Sequence, residues 1–208
     1  PFGIRNVGIQ HRDFASPAFA DIDNDGDLDL FVGNSWGAIA FFRNTGSSTA
    51  PAYTQQGGNN PFGIADVGKE ATPALADIDG DGDLDLFIGN SSGNTYFFRN
   101  TGSTTTPAYK PEGGKQPFGI GDVGYSASPA FADIDDDGDL DLFIGNSRGY
   151  TSFFRNTALV PVAPVHATSS NGTYAIGEVI NLTISFNEAV LVDTTSGSPT
   201  LQLETGST

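Results

Sequence analysis

The sequence predicts an all-β protein, made of three four-stranded blades of the propeller type and part of an immunoglobulin-like β-sandwich. Three observations support this: a unit that occurs three times, apolar residues with strand periodicity inside each unit, and abundant turn-forming residues. The chain has 208 residues, of which 27 are glycine and 12 are proline, and 11% are aromatic. This composition favours many short strands joined by turns over helices.

The repeated unit sets the domain organisation. Each copy opens with Phe-Gly-Ile, continues with a Pro-Ala run into an aspartate-rich loop, and ends with Phe-Phe-Arg-Asn-Thr. Equivalent aspartates, Asp21, Asp77 and Asp133, are 56 residues apart. A fixed period of this length is typical of blade or solenoid repeats. We place the three repeats at about residues 1–60, 61–116 and 117–157.

Each unit has the pattern of about four short strands. In the first unit, residues 17–20 lead into the acidic loop and residues 28–33 leave it. A tight-turn signal at residues 34–37 separates the second strand from a third at residues 38–43, and residues 51–54 form a short edge strand. Four strands in about 56 residues match a propeller blade. A β-solenoid or a string of hairpins is the alternative.

The repeat ends after Thr157. Residues 158–164 are a proline-spaced, semi-rigid linker, and residues 165–208 are predicted to be a partial Ig-like β-domain. Within it, apolar residues alternate with polar ones from Ile180 to Phe186, as in a half-buried strand. A complete sandwich of this class needs about 100 residues, so this segment should leave an apolar face and open sheet edges.

One acidic motif, D-x-D-x-D-G-x-x-D, occurs in every unit. Its aspartates are Asp21, Asp23, Asp25 and Asp29, then Asp77, Asp79, Asp81 and Asp85, then Asp133, Asp135, Asp137 and Asp141. Four carboxylates within nine residues repel one another unless a cation neutralises them. All-oxygen ligands without His or Cys favour a hard cation, and flexible ligands favour Ca²⁺ over Mg²⁺. We therefore expect about one Ca²⁺ per repeat, three in total.

The remaining loop positions agree with a calcium loop. Glycine at the sixth place permits the sharp turn. The seventh residue, Asp27, Asp83 or Asp139, would supply its backbone carbonyl while its side chain points to solvent. The first half of the loop resembles an EF-hand, but the twelfth place holds an apolar strand residue instead of glutamate. The alternative is a solvated acidic turn without metal.

The run from Ser16 to Asn34, repeated in all three units, resembles the FG-GAP/VCBS repeat, the blade of integrin-α-type propellers and of many bacterial surface proteins. The resemblance covers residues 1–157. It implies four-stranded blades with Ca²⁺ in the loop that joins the first two strands. Its ligand positions correspond to the four aspartates and the seventh-place carbonyl of each unit. Propellers of this family usually close with seven blades, whereas this chain has three. The tail resembles Ig-like or cadherin-like bacterial modules.

Composition excludes several classes of function. The net charge of −16 repels nucleic acid and anionic lipid. No apolar run reaches the 18 residues needed for membrane insertion, and without cysteine there are no disulfides, thiolate metal sites or cysteine nucleophiles. No P-loop, dinucleotide fingerprint or nucleophile elbow is present. We expect no catalytic residues and no enzyme activity.

Other candidate sites lie outside the acidic loops. The units differ most at the hairpin tip, where Trp36, Arg148 and Tyr150 are candidate ligand contacts; ordinary variation in turns is the alternative. Three N-x-S/T sequons make Asn90, Asn171 and Asn181 glycosylation candidates. The repeated Arg43, Arg99 and Arg155 are expected to be structural, paired with carboxylates of a neighbouring blade.

These observations predict a secreted, calcium-stabilised structural or adhesive β-repeat protein of the extracellular space or cell surface, self-assembling into a filament. Its partners would be copies of itself or further blades of a longer chain, because open blades leave uncovered faces and strand edges. The alternative is a lectin-like propeller module that binds cell-surface carbohydrate or protein through the variable tips.

Overall fold

The computed structural model describes residues 14–103, 105–157, 166–167 and 182–183. The chain divides into two compact units, Pro1–Thr157 and Ala158–Thr208, which are treated separately below. The described residues form antiparallel strands, and their only helices are two single 3₁₀ turns. The prediction of an all-β chain is confirmed.

The first two repeats each form a four-stranded antiparallel sheet whose strands follow one another in chain order. The strands of the first blade are β1 (Ala15–Ala20), β2 (Asp29–Asn34), β3 (Ile39–Asn44) and β4 (Tyr53–Asn59). Those of the second are β5 (Thr72–Ala76), β6 (Asp85–Gly89), β7 (Thr95–Asn100) and β8 (Tyr109–Lys115). Strands β1 and β5 contact each other, so the first strands of consecutive blades are neighbours.

The third repeat forms a three-stranded sheet in the described part of the chain. Its strands are β9 (Ser128–Ala132), β10 (Asp141–Gly145) and β11 (Thr151–Phe154). Strand β9 contacts β5, which continues the succession of first strands. A counterpart of β4 and β8 would follow Thr157, outside the described residues.

The fourth strand differs from the sequence prediction in its bounds. Residues 51–54 were expected to form it, but it runs over Tyr53–Asn59. Its Gln-Gln-Gly-Gly stretch has no strand alternation, yet β3 provides a hydrogen-bonding edge along its whole length. A bulge opposite Ala40 and Phe41 absorbs Gly57 and Gly58, which adopt φ of 69° and 67°.

Two linking segments, residues 61–71 and 117–127, join consecutive blades. Each begins with a 3₁₀ turn, Pro61–Gly63 or Pro117–Gly119. Inside these turns Phe62 and Phe118 adopt left-handed φ of 60° and 55°, which is uncommon for an aromatic residue. The strained backbone places each ring against the preceding blade: Phe62 lies 5.0 Å from Phe41 and Phe118 lies 4.9 Å from Phe97, both edge-on.

The core lies between the sheets. Alternate residues of a strand face opposite sides, so Phe31 and Phe41 of the first blade point toward the second, where they meet Leu86, Ile88 and Phe98. Phe87 and Phe97 repeat this arrangement toward the third blade. Leu30, Val32, Ala40 and Phe42, on the other side of the first sheet, form a further buried cluster.

In the second unit, β12 (His166–Ala167) pairs with β13 (Leu182–Thr183) in antiparallel fashion. Leu182–Thr183 falls within the strand predicted from the alternation between Ile180 and Phe186. The predicted linker at residues 158–164 lies outside the described residues. The Ig-like character of residues 165–208 and the bounds of the three repeats stay predictions.

Candidate metal sites in the acidic loops

Each acidic motif lies in the loop between the first and second strands of its blade. The loop folds around its first aspartate: Gly26 donates its N–H to Oδ2 of Asp21 at 2.9 Å, and Gly82 does so to Asp77 at the same distance. In the third blade, Gly138 donates to Asp133 at 3.2 Å. The three loops are therefore built alike.

Two positions in every loop have left-handed backbone. The sixth-place glycines have φ of 88° to 94°, as the sequence predicted. The fourth place is also left-handed, with φ of 55° at Asn24, 74° at Gly80 and 58° at Asp136. Sequence analysis missed this second position, although Asn, Gly and Asp are the residues that tolerate such φ.

The loop geometry brings carboxylates together. In each blade the first, third and fifth aspartates offer oxygen atoms within 4.8 Å of one another. These triads are Asp21, Asp23 and Asp25; Asp77, Asp79 and Asp81; and Asp133, Asp135 and Asp137. Three negative groups this close repel one another, which a nearby positive charge would relieve.

The ninth-place aspartate, at the start of the second strand, is not a member of these triads, although Asp29 and Asp85 lie near enough to feel the charges of the first and fifth aspartates of their loops. Asp29, Asp85 and Asp141 are 1%, 2% and 0% exposed. One oxygen, Oδ1, accepts the backbone N–H of Asn44, Asn100 or Asn156 at 2.6, 2.7 and 2.8 Å. The other oxygen, Oδ2, is buried in all three and accepts no hydrogen bond of normal geometry from the described residues. The backbone N–H groups of Ile22 and Ile78 nevertheless act on Asp29 and Asp85 and lower their pKa. A buried carboxylate oxygen without a partner is costly.

The electrostatics of this position reflect that cost. Burial raises the pKa of Asp29 to about 6, and the charges of Asp25 and Asp21 raise it further, against the opposing effects of backbone N–H groups of Asn44 and Ile22. Burial and the charges of Asp81 and Asp77 likewise raise the pKa of Asp85 to about 6, with Asn100 and Ile78 as the opposing N–H groups. Without a cation, these carboxyl groups resist ionisation.

An arginine of the third strand region lies beside each loop. Arg43, Arg99 and Arg155 form ion pairs with the third-place aspartates Asp23, Asp79 and Asp135. The expectation that these arginines pair with a neighbouring blade is wrong, because the third strand runs alongside the loop of its own sheet. Arg99 also contacts Glu112 of β8 at 2.8 Å.

A tyrosine of the fourth strand fixes the end of the loop, which sequence analysis also missed. Tyr53 and Tyr109 each donate a hydrogen bond, both 3.0 Å long, to the carbonyl oxygens of Leu28 and Leu84. The signal was present: a Pro-Ala-Tyr triplet follows the Ser/Thr-rich loop in both repeats.

The seventh-place residues are only partly as expected. The N–H groups of Asp27, Asp83 and Asp139 donate to the fifth-place aspartates at 2.9 Å. Asp27 and Asp83 are half-buried. The expectation that this side chain points to solvent is wrong for Asp139, which is 6% exposed. The backbone hydrogen bond does not account for this burial, because Asp27 and Asp83 make the same bond and are less covered.

The donor set fits a hard divalent cation. Each cluster offers only carboxylate oxygens, and a buried oxygen of the ninth-place aspartate lies without a hydrogen bond from any described residue. The residues that would hold the ion are the four aspartates of each motif, with the carbonyls of Asp27, Asp83 and Asp139. A Ca²⁺ ion there would supply positive charge and link the loop to the second strand.

The tip residues singled out from the sequence are accessible. Trp36 is 61% exposed and Tyr150 is 70% exposed. Arg148 is exposed too, with its guanidinium 4.6 Å from the centre of the Tyr125 ring. Trp36 belongs to the first blade, whereas Arg148 and Tyr150 belong to the third.

Asn90 has a structural role at the tip of its blade. Its side chain is 4% exposed, donates to the Val67 carbonyl at 2.7 Å and accepts the N–H groups of Ser92 and Asn94. A glycan on its amide nitrogen would displace the bond to Val67, so the folded blade disfavours glycosylation there. Asn171 and Asn181 lie outside the described residues.

The fold and the loops define a class of protein: a β-blade repeat protein with an acidic loop of clustered carboxylates in each blade. The FG-GAP-like repeat model matches the chain over residues 21–88 and again over residues 77–144. These matches cover more than half of the sequence, and the chain belongs to the FG-GAP-like repeat family.

Proteins with FG-GAP repeats are generally structural or binding modules rather than enzymes, and they occur in extracellular and cell-surface proteins. A comparison with curated proteins finds no match. In the part of the chain that the structure describes, no helix combines the length and apolar character needed to span a bilayer.

Proposed function

We propose that this chain is a secreted, calcium-stabilised structural or adhesive β-repeat module that assembles with copies of itself. The observation that carries the proposal is the acidic cluster found in every blade. Each brings three carboxylates within 4.8 Å of one another beside a buried aspartate whose Oδ2 accepts no hydrogen bond from the described residues. A surface turn without metal would leave that aspartate in water.

Calcium would act by binding the folded loop and not the unfolded chain. Extracellular modules bind Ca²⁺ with Kd of about 10⁻⁴–10⁻³ M. At a concentration tenfold above Kd, each site would add about 1.4 kcal/mol to the free energy of unfolding. Three sites would add about 4 kcal/mol, a large share of a typical stability of about 5–15 kcal/mol.

Thermal unfolding tests the calcium role. Removing calcium with EDTA should lower the Tm by roughly 8–16 °C, since 1 kcal/mol corresponds to about 2–4 °C in a domain of this size. NaCl at matched ionic strength controls for screening of the net charge, and Mg²⁺ controls for ion selectivity. A Tm that is the same in calcium and in EDTA would contradict the calcium role.

A lectin-like module is the second candidate, favoured by the exposure of Trp36 and Tyr150. Exposed aromatic faces can stack on sugar rings. A glycan array should then show binding by the wild type that Trp36→Ala or Tyr150→Ala abolishes, while Leu28→Ala, another exposed apolar site, leaves it intact. An array without signal would remove this candidate.

A further inference from the structure

The contact between consecutive blades occurs twice in this chain with the same parts. In the first contact, a Cβ added to Gly33 would collide with the carbonyl of Ala71, and one added to Gly37 would collide with Gly68. The Ala71 N–H donates to the Asn34 carbonyl at 3.1 Å. Glycine is therefore required where the linking segment crosses the tip of the preceding blade.

The second contact repeats this arrangement. Gly89 faces the carbonyl of Ala127, and the Ala127 N–H donates to Asn90 at 2.9 Å. Aromatic packing accompanies it, with the Phe131 ring edge-on to Phe87 at 4.8 Å. The facing rings are fully covered, since Phe41 and Phe97 are 0% and 1% exposed.

The third blade has the same glycines and phenylalanines at the corresponding positions, but no described residue packs against them as a following blade would. No atom of the described residues lies within 4 Å of a Cβ built on Gly145 or Gly149, the counterparts of the glycines above. Phe153, the counterpart of Phe41 and Phe97, is 45% exposed and pairs only with Phe143 at 4.9 Å among described rings. We call Phe143, Gly145, Gly149 and Phe153 the receiving face.

The first blade exposes the complementary edge. Ala15 is exposed, whereas its counterparts Ala71 and Ala127 are both 0% exposed. Phe19 is 53% exposed, whereas its counterpart Phe131 packs on Phe87. The sequence of residues 1–8 also matches the linking segments at residues 61–68 and 117–124 in six of eight positions.

We infer that the receiving face of the third blade binds the first blade of a second copy of this chain, head to tail. Phe19 of the second copy would pack on Phe143, and its Ala15 would cross Gly145, as Phe131 and Ala127 do on the second blade. This inference rests on the proposed self-assembly and names its surfaces. A head-to-tail contact joins two different surfaces, so repetition yields a ring or a filament.

Gly145→Val tests the contact directly. No described residue lies near a Cβ at Gly145, so valine should leave the Tm of the monomer unchanged. When a second copy binds, the valine would collide with the backbone of that copy at Ala15. The Kd of association in calcium, measured by sedimentation, should therefore rise about tenfold or more. Gly89→Val is the matched control, because its valine clashes within the chain and should lower the Tm.

Cysteine pairing provides a second test, because the natural chain has no cysteine. Phe19→Cys and Phe143→Cys proteins, oxidised after mixing in calcium, should form a disulfide-linked heterodimer. Trp36→Cys mixed with Phe143→Cys should not. A double variant that forms only a disulfide within one chain would mean that the chain covers its own receiving face, and would overturn the inference.

The remaining outcomes separate this inference from the proposed function. Unchanged association of Gly145→Val, without the heterodimer, would overturn this interface and leave self-assembly through another surface. A chain that sediments as a monomer at every concentration, while EDTA still lowers its Tm, would overturn the interface and the self-assembly but leave the calcium role.

Discussion

At the scale of single residues, the ninth-place aspartate is the most informative group. Asp29 holds one oxygen in a 2.6 Å hydrogen bond, its other oxygen is buried, and the charges of Asp25 and Asp21 act on it. Burial without a counter-ion raises its pKa to about 6. Without a counter-ion the charge on this carboxylate opposes folding; under the proposed calcium role it would become a ligand.

Asp29→Asn should therefore have opposite effects with and without calcium. In EDTA at pH 7 the variant should be more stable than the wild type by about 2 kcal/mol, because it avoids a buried charge. In calcium it should need about tenfold more ion to saturate the loop. Melting curves and calcium titrations measure both quantities.

The stability that Asp29 contributes in the absence of calcium should depend on pH. Because the folded pKa of Asp29 is raised, its favourable contribution in EDTA is complete below about pH 3.8 and is lost as the pH rises through about 6. The advantage of Asp29→Asn in EDTA should thus vanish on acidification from pH 7 to pH 4. Asp27→Asn, with the same change of charge in the same loop, is the control. An equal advantage at both pH values would contradict the assignment.

At the scale of elements, the hairpin tip between the second and third strands organises each blade. Asn34, Asn90 and Asn146 accept two backbone N–H groups each, which closes the turn. Asn90 and Asn146 also donate to the linking segment, at Val67 and Val123. One side chain therefore couples the turn within a blade to the segment that enters it.

Asn90→Ala should lower the free energy of unfolding by about 2–3 kcal/mol, since it leaves buried N–H and carbonyl groups unpaired. The Tm should fall by roughly 4–12 °C. Asn90→Asp keeps the two acceptor interactions but sets a buried carboxylate oxygen against the Val67 carbonyl, so it should also lower the Tm at pH 7. Equal Tm values for wild type and Asn90→Ala would show that the tip does not couple to the fold.

At the scale of the whole repeat array, burial differs between blades. The strand β6, Asp85–Gly89, is buried at every position, because the second blade is covered on both sides. Strand β11, Thr151–Phe154, has no buried position. Stability in repeat proteins depends on contacts with neighbours, so the blades should open with different free energies.

Hydrogen exchange in calcium should show this gradient. Amides of β6 and β7 should exchange most slowly, and those of β11 should open at a free-energy cost lower by about 2 kcal/mol or more. A sample at high concentration should regain protection at β11 if the receiving face is covered by a second copy. Uniform protection across the three blades in dilute sample would contradict the gradient.

Local sequence patterns suffice to predict the repeat, the β class, the position of the acidic loops and an all-oxygen donor set of the kind that hard cations favour. These depend on local patterns: the two-residue period of strands, left-handed glycine at the sixth loop position, and carboxylates at alternate positions of one short segment. Residues 21–29 contain nearly all the information needed to predict their own loop.

The contacts between residues far apart in sequence are visible only in the tertiary structure. Arg43 reaches Asp23 of its own blade, Asp29 is buried with one oxygen unpaired among the described residues, and β4 extends to Asn59 along the edge of β3. It likewise shows that no described residue approaches the Cβ positions of Gly145 and Gly149 in the third blade. Such features follow from how sheets lie against one another, and contacts between residues far apart in sequence leave no periodic signal in it.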